Sequence, residues 1–243
     1  MNIAYLLATP SDIAALATIK HATWPDEEPL NPTIFAAALQ TPGHQTHIVA
    51  VNGRSVGFVS GFVTQSAMGE QRWEVDLLAV HPDFRRLGLG SKLVATTLEA
   101  APTFAFARTL IHVNNQPSQR SFSRHGFHPS GSPVILHICS HPTPNTLPLP
   151  NTAHLVPVNT LTYRGLWLEG ELSSVAFQAA QAECLHQQRD LVGALIPAAD
   201  SASQQMAEKC GFVAVGTYQV WVDDRRPTTD HNPSSIVRRP SSS

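Results

Sequence analysis

The alternation of apolar and polar residues divides the first 140 residues into predicted strands and helices. Segments with the length and apolar content of strands are residues 2–8, 47–51, 56–59, 72–80, 109–113 and 134–139. Segments with helical spacing or helix caps are residues 11–20, 32–40, 89–98 and 118–124. Asn52-Gly53 is a typical hairpin turn between two of the strands. We therefore predict an α/β fold in which helices flank a mixed sheet.

The pattern changes after residue 140. Residues 141–157 are rich in proline and predict a linker rather than a packed element. Strands are predicted again at residues 161–169, 191–196 and 213–222, and helices at 172–188 and 201–209. The first of these helices is amphipathic, and we expect its apolar face to consist of Phe177, Ala180, Cys184 and Leu185. From Asp223 the chain is polar and without periodicity, which predicts a disordered tail.

A short pattern occurs twice, 85 positions apart. Asn115-x-x-Ser118 followed by Gly126-Phe127 returns as Asp200-x-x-Ser203 followed by Gly211-Phe212. Each copy lies between predicted strands, which favours duplication of a supersecondary unit. The alternative is that a helix ending in Gly-Phe is a common C-terminal cap. We predict a domain over residues 1–140, a linker over 141–157, a smaller half-domain over 158–222 and a tail over 223–243.

Composition excludes several classes of protein. The net charge of −2 and pI near 6.6 give no electrostatic signature of nucleic-acid binding. No apolar run reaches the roughly 20 residues of a membrane span, and the first residues lack the pattern of a secretory signal. Three cysteines at wide spacing predict reduced thiols in a cytoplasmic protein. His137, Cys139 and His141 lack an apparent fourth ligand, so we predict no metal site.

Two glycines follow the strand over residues 72–80 and precede a helix. The free N–H groups and the dipole of a helix N-terminus favour an anion. Gly88 and Gly90 permit a close approach of backbone to a phosphate, and Arg85 and Arg86 can add charged hydrogen bonds. The spacing fits neither a P-loop nor the three-glycine dinucleotide fingerprint. The segment predicts binding of another phosphorylated cofactor.

The full motif, Val80-x-Pro82-x-x-Arg85-x-x-Gly88-Leu89-Gly90-x-x-Leu93, resembles the acyl-CoA motif of the GCN5-related N-acetyltransferases. Asn115-x-x-Ser118 with Phe122-x-x-x-Gly126-Phe127 is similar to a later motif of that family. The resemblance covers roughly residues 2–139 and implies acetyl-CoA as cosubstrate. It implies that backbone amides bind the pyrophosphate and that strand backbone and Asn115 hold the pantetheine. The implied residues are Leu78, Ala79, Val80, Arg85, Arg86, Leu87, Gly88, Leu89, Gly90, Ser91, Asn115 and Phe122.

The resemblance implies direct attack of an amine on the thioester, for which a base is needed. Glu74 and Asp76 are the candidates, because they alternate to one strand face while Trp73, Val75 and Leu77 take the other. The family's tyrosine acid is replaced by Phe122, which cannot donate a proton. This replacement leaves open a non-catalytic acyl-CoA-binding or sensing module as the alternative to an enzyme.

The expected partners are acetyl-CoA and a small amine or peptide. The acidic loop Asp26-Glu27-Glu28 is suited to attracting a cationic acceptor, although exposed acids in a loop are also ordinary. In the second half Ser173 and Val175 stand where the duplication would place the loop glycines. We therefore expect no second CoA site there. We also expect this half to pack on the first domain, within the chain or across a homodimer.

Overall fold

The structure is a computed structural model that describes residues 1–225, so most of the predicted tail lies outside the described residues. The strands are β1 (Ile3–Leu7), β2 (His44–Val51), β3 (Arg54–Gln65), β4 (Gln71–Val80), β5 (Phe106–His112), β6 (His128–Cys139), β7 (Ala153–Asn159), β8 (Arg164–Gly170), β9 (Leu191–Pro197) and β10 (Val213–Asp223). The helices are α1 (Ile13–Thr23), α2 (Pro32–Gln40), α3 (Leu89–Ala100), α4 (Gln116–Ser123), α5 (Ser174–His186) and α6 (Ser201–Lys209).

These strands form one mixed sheet, in agreement with the predicted fold class. Its order is β1-β2-β3-β4-β5-β10-β6-β9-β8-β7 within the described residues. The pairs β4–β5 and β8–β9 are parallel, and the other neighbours are antiparallel. Each parallel pair is joined by a helix, α3 or α5, as a parallel connection requires.

The two halves of the chain exchange their last strands. Strand β10 lies between β5 and β6, and β6 lies between β10 and β9. From β10 the sheet continues with β5, β4 and β3, and from β6 it continues with β9, β8 and β7. In each direction the first two of these strands are parallel to each other and the third is antiparallel to the second. This symmetry is what a duplicated unit would produce, although duplication and the domain boundaries stay predictions. The second half has no sheet separate from that of the first, and it packs on the first half within the chain.

Three apolar cores hold the helices against the sheet. Helix α3 packs over β4 and β5 around Trp73 and Leu93, which are fully buried. Helices α1 and α2 pack over β2, β3 and the end of β4 around Phe35 and Phe58. Helices α5 and α6 pack over β8 and β9 around Phe177. Leu185 was expected on this buried face but is 41% exposed, because the buried face of α5 is displaced toward Ala176 and Ala179 and leaves Leu185 outside it.

The predicted linker is partly a strand. Residues 153–157 belong to β7, which pairs with β8 and forms one end of the sheet. Proline occurs in edge strands because the N–H group that it lacks would face solvent rather than a neighbouring strand. Pro157 is therefore compatible with a strand, and our prediction of a linker was wrong for residues 153–157. Before β7 the chain runs along α5, where the backbone N–H of Thr143 donates to Gln181 Oε1 at 2.9 Å. The β7–β8 hairpin then folds back onto β3, packing Val156 and Val158 on Phe62.

Candidate active site

A gap opens in the sheet between β4 and β5. The two strands pair only from Arg72 to Glu74, opposite residues 106–108. Beyond Glu74, the β5-facing edge of β4 has no partner strand among residues 1–225. A bulge accompanies the separation: Val59 pairs with Leu78 and Gly61 with Val75, so two β4 residues lie opposite one on β3. Because a bulge bends its strand, β4 turns away from β5 and leaves its backbone groups free there.

The bulge changes which face each β4 side chain takes. Trp73 and Val75 pack under α3 as expected, whereas Leu77 packs with the core of α1 and α2. Our prediction that Leu77 shares a face with the other two was wrong, because strict alternation fails at an extra residue. Glu74 and Asp76 both line the same cavity, in agreement with their predicted common face. Leu78, Ala79 and Val80 lie beyond the bulge, along the gap.

The glycine loop lies at the N-terminus of α3, next to the gap. Gly88 has φ of +75°, and a Cβ there would meet no atom within 4 Å. The side chains of Arg85, Arg86 and Leu87 are exposed, and Arg85 Nε donates to the Val80 carbonyl at 3.2 Å. None of the backbone N–H groups of residues 86–91 donates to a backbone acceptor in the described chain. The N–H groups of this segment, which includes Leu89, Gly90 and Ser91, are therefore available to donate hydrogen bonds to an anion.

A cavity of about 600 Å³ adjoins the gap on the face opposite α3. The first half contributes Glu74, Asp76, Asn115 and Phe122 to its walls. The second half contributes Tyr163, Trp167, Glu169 and Tyr218. The volume lies within the usual range of roughly 300–1,000 Å³ for small-molecule sites. The cavity therefore depends on both halves of the chain.

Asp76 is the carboxylate with the chemistry of a base. It has no ion pair within residues 1–225 and is partly buried in the cavity wall. Burial raises the pKa of Asp76 to about 6; a backbone hydrogen bond at Leu77 opposes the shift, and the charges of Glu74 and Glu27 add to it. A carboxylate in this state is ionised at neutral pH, yet takes a proton more readily than an ordinary aspartate.

Glu74 is held by hydrogen bonds on both oxygens. Arg108 donates from Nε to Oε2 at 2.9 Å and from Nη2 to Oε1 at 2.8 Å. Thr64 Oγ1 donates to Oε1 at 2.7 Å. A bidentate arginine and a hydroxyl occupy the lone pairs that a base would need. Of the two carboxylates predicted as bases, the contacts therefore favour Asp76 and give Glu74 a structural part.

Two arginines and two glutamates join the halves at the floor of the cavity. Glu169 on β8 accepts from Arg72 Nη1 at 2.9 Å and from Arg108 Nη2 at 3.1 Å. Arg72 is 4% exposed and also donates to Thr64 Oγ1 at 3.0 Å. We refer to Arg72, Glu74, Arg108 and Glu169 as the floor cluster. Glu169 belongs to no motif of the sequence and lies 95 positions from Glu74 in the second half, so it was not predicted as a site residue.

The residues of the later motif lie at the end of the cavity. Asn115 caps α4, and its Oδ1 accepts from the Ser118 N–H at 3.2 Å. Phe122 is 2% exposed and packs edge-on against Phe127 with ring centres 5.0 Å apart. Two tyrosines of the second half, Tyr163 and Tyr218, line the same cavity, and the Tyr163 hydroxyl accepts from Trp167 Nε1 at 3.0 Å. No sequence pattern had singled out either tyrosine.

The acidic loop reaches the cavity through one residue. Glu27 lines the mouth of the cavity, and its Oε2 lies 2.9 Å from Lys20 Nζ. Lys20 is 3% exposed and also donates to the Glu28 carbonyl at 2.6 Å. Asp26 and Glu28 are exposed. The loop therefore brings one carboxylate to the site, and a buried lysine already neutralises it.

The second half presents a different turn where the first has its glycine loop. Ser173 caps α5, its Oγ accepting from the Ala176 N–H at 3.2 Å. The Ser173 side chain therefore occupies an N–H group of α5 whose equivalent at the N-terminus of α3 is free. Within residues 1–225, no group of three histidine, cysteine or acidic side chains is arranged to hold a metal ion. None of the helices described is long and apolar enough to span a membrane.

Residues 13–127 match the family model of the acetyltransferase (GNAT) family. The match identifies a GNAT acetyltransferase domain at these residues, as the motifs predicted. The glycine loop and the gap between β4 and β5 lie within it. A search of curated proteins finds no match to the sequence.

Solved structures of GNAT proteins share the fold over nearly the whole chain. A GCN5-related N-acetyltransferase from Sphaerobacter thermophilus is 13% identical, with a TM-score of 0.56, covering 97% of this chain and 98% of that one. A proposed acetyltransferase from Pyrococcus horikoshii is 13% identical, with a TM-score of 0.59 and coverages of 96% and 92%. The glucosamine N-acetyltransferase region of a fungal GH3 β-N-acetylglucosaminidase is 10% identical, with a TM-score of 0.59 and coverages of 91% and 38%. At these identities the likeness concerns the fold alone.

Proposed function

We propose that this protein is an N-acyltransferase that transfers acetyl from acetyl-CoA to a primary amine. The observation that carries the proposal is the gap between β4 and β5, which connects the free N–H groups of the α3 terminus with the cavity. In this proposal CoA would extend from the glycine loop past Leu78 and Val80 to Asn115 and Phe122.

The residues present fit acetyl-CoA. Unpaired amides at a helix N-terminus suit a pyrophosphate, and Gly88 leaves open space there. The free edge of β4 offers N–H and C=O groups to a chain that itself contains amides, in the manner of an added strand. Acetyl-CoA would supply the activated acyl group. The protein would bind it, orient the amine and remove a proton from that amine.

Asp76 is the base in this proposal. An amine is nucleophilic only without its extra proton, and it reaches the cavity largely as the ammonium at neutral pH. Asp76 has no cation partner among the described residues and a pKa raised to about 6, so it can accept that proton. Glu74 supports the site through the floor cluster rather than as a base.

The rival function is a non-catalytic acyl-CoA sensor. The buried phenyl ring of Phe122 at the position of the family's proton donor favours this rival. A thiolate with a pKa of about 8.5 is a tolerable leaving group without an acid, so the substitution does not exclude catalysis. Release of CoA thiol from acetyl-CoA in the presence of amines separates the two functions.

Cofactor binding is tested by the melting temperature. At 100 times its Kd, CoA should stabilise the protein by about 2.7 kcal/mol, or roughly 5–10 °C for a chain of this size. Gly88→Glu and Gly90→Glu should abolish the shift, because they place a carboxylate where the pyrophosphate binds.

Gly53→Glu is the matched control for Gly88→Glu. Both glycines have positive φ, +82° and +75°, and neither has an atom within 4 Å of an added Cβ. The two substitutions therefore carry a similar backbone cost and the same charge, but Gly53 lies in the β2–β3 turn. Gly53→Glu should keep the CoA shift. Absence of any shift in the wild type at millimolar CoA and acetyl-CoA would refute the proposal.

A further inference from the structure

The charges that line the cavity are almost completely paired. Four carboxylates of the described chain line it: Glu27, Glu74, Asp76 and Glu169. Glu74 and Glu169 share the guanidinium groups of the floor cluster at 2.8–3.1 Å, and Glu27 has Lys20 at 2.9 Å. Asp76 is the member of the four that lacks a cation. The cavity therefore has one uncompensated negative charge, deep enough for its pKa to be raised by burial.

The remaining wall is largely apolar and aromatic. It includes Trp24, Phe62, Tyr163, Trp167, Leu172 and Tyr218. An ionised group placed against such a wall loses its water without gaining a partner, which is costly. Arg108 is the cation that lines the cavity, and it is already bound to Glu74 and Glu169. His112 also lines the cavity, and its Nδ1 accepts from the Asn114 N–H at 3.2 Å. Among the described residues that line the cavity, a ligand carboxylate would find no arginine or lysine without a carboxylate partner, and a second ammonium would find no further carboxylate without a cation.

We propose that the acceptor is a small primary monoamine with an aromatic or aliphatic body. Its single ammonium matches the single unpaired carboxylate, and its body matches the walls. Amino acids, peptides with free carboxylates and diamines are rejected because their second charge would stay unpaired. The proposal rests on the proposed acyl transfer and goes beyond it by giving the class of substrate.

The proton balance uses the same residue. The ammonium gives one proton to Asp76, and the nitrogen lone pair then forms a bond to the thioester carbonyl carbon. The carbon–sulfur bond breaks, and the sulfur keeps the electron pair. The second proton lost from nitrogen neutralises the thiolate, directly or through water. The products are the amide, CoA thiol and protonated Asp76, which returns its proton to solvent.

Two matched pairs of amines test the substrate class. Phenylethylamine and phenylalanine differ by one carboxylate, and butylamine and 1,4-diaminobutane differ by one ammonium. Thiol release at fixed acetyl-CoA should give kcat/KM for phenylethylamine on the order of 100-fold above phenylalanine, because a buried unpaired group is strongly rejected. Butylamine should exceed the diamine by roughly tenfold or more. Phenylalanine or the diamine at equal or higher kcat/KM would overturn the proposal.

Glu169→Gln tests the cause of the selectivity. The substitution keeps the shape of the side chain and leaves Arg72 and Arg108 with an excess positive charge that a carboxylate can use. The ratio of kcat/KM for phenylethylamine over phenylalanine should fall at least about tenfold. Glu70→Gln, on the exposed β3–β4 turn, is the control and should leave the ratio unchanged. A merely structural part for Glu169 would lower both rates and leave the ratio as it is, which would contradict the proposal.

Binding measurements separate this proposal from the one on which it rests. Calorimetry with the CoA-saturated protein should detect phenylethylamine but not phenylalanine. A melting shift with CoA, together with no binding of either monoamine, would refute the substrate class and leave acyl-CoA binding intact. No melting shift with CoA would refute the acyltransferase itself, and this inference with it.

Discussion

At the scale of single residues, Asp76 and Glu74 show how two carboxylates on one strand receive different chemistry. They are two positions apart and line the same cavity, yet Glu74 is bound by Arg108 and Thr64 while Asp76 has no cation. The hydrogen bonds from Arg108 and Thr64 occupy both carboxylate oxygens of Glu74. Burial without pairing leaves Asp76 able to gain and lose a proton near neutral pH.

Asp76→Asn should lower kcat by about 10²–10⁴-fold with little change in CoA affinity, because proton removal by a positioned base contributes that much. Thiol release and the CoA melting shift measure the two effects separately. Asp26→Asn, an exposed acid on the loop before α2, is the control and should change neither. Equal activity of Asp76→Asn and wild type would show that solvent or another residue removes the proton from the amine.

The pH dependence of the reaction should report the same group. With Asp76 as the base, kcat/KM should fall as pH drops through about 6, where its carboxylate becomes protonated. The amine adds no further decrease in the wild type, because it enters as the ammonium that Asp76 deprotonates, whereas a variant without this base depends on the small fraction of unprotonated amine. Asp76→Asn should lack the inflection near 6 and keep only the dependence that comes from the amine. An inflection near 6 that persists in this variant would assign it to another group.

Asp76 should also make the protein less stable at neutral pH. Its folded pKa of about 6 lies above the ordinary value of 3.8, so its contribution favours folding below pH 4 and is lost as pH rises through 6. A difference of this size corresponds to at most about 3 kcal/mol. Asp76→Asn should therefore raise the melting temperature at pH 8 but not at pH 4. A variant that melts below the wild type at pH 8 would contradict the assignment.

At the scale of elements, the floor cluster fixes the β7–β8 hairpin over the cavity. Arg72 on β4 and Glu169 on β8 are distant in sequence, and their ion pair is mostly shielded from water. Removing one partner of such a pair leaves a charge without compensation, whereas removing both does not. The ion pair between Arg72 and Glu169 therefore holds the hairpin in position, and the loss of stability on removing either residue depends on whether the other is present.

Arg72→Met should destabilise the protein by about 3 kcal/mol in urea unfolding. The double variant Arg72→Met with Glu169→Met should be less destabilised than the sum of the two single variants, by about 1 kcal/mol or more. Arg164→Met provides the control, since the pair of Arg164 with Asp190 on the same hairpin is largely exposed and should be worth less than about 1 kcal/mol. Additive single effects would show that the cluster does not act as a unit.

The elements themselves were mostly accessible from sequence. Helices α2 and α6 begin and end at the predicted residues. Pro32 in the first turn marks the start of α2, and the N-cap Asp200 marks the start of α6. Strand β7 was not predicted, because an edge strand with Pro157 and a linker have similar composition. The bulge in β4 was also missed, because nothing in the alternation of residues 72–80 reveals an extra residue. The glycine loop was predicted because its chemistry is local, whereas Tyr163 and Glu169 join the site through long-range packing.

At the scale of the whole molecule, the exchange of β6 and β10 makes the halves depend on each other. Strand β5 has β10 as its neighbour, and β6 lies between β10 and β9. A cavity lined by both halves follows from this arrangement, and the second half supplies Tyr163, Trp167 and Tyr218 to its aromatic wall. The second half lacks the glycine loop of the first, with Ser173 capping α5 in its place. We therefore predict one CoA per chain in titration calorimetry, and two equivalent sites would contradict this.

The interlocked sheet also predicts how fragments behave. Residues 1–149 without β10 would leave β5 and β6 with unpaired edges in the middle of the sheet, and such edges promote association with other chains. We expect this fragment alone to aggregate in size-exclusion chromatography. Expressed together with residues 150–243, it should instead form a soluble one-to-one complex that keeps the CoA melting shift, because each fragment supplies the strand that the other lacks. A monodisperse fragment 1–149 that transfers acetyl groups at the rate of the full chain would show that the second half is dispensable.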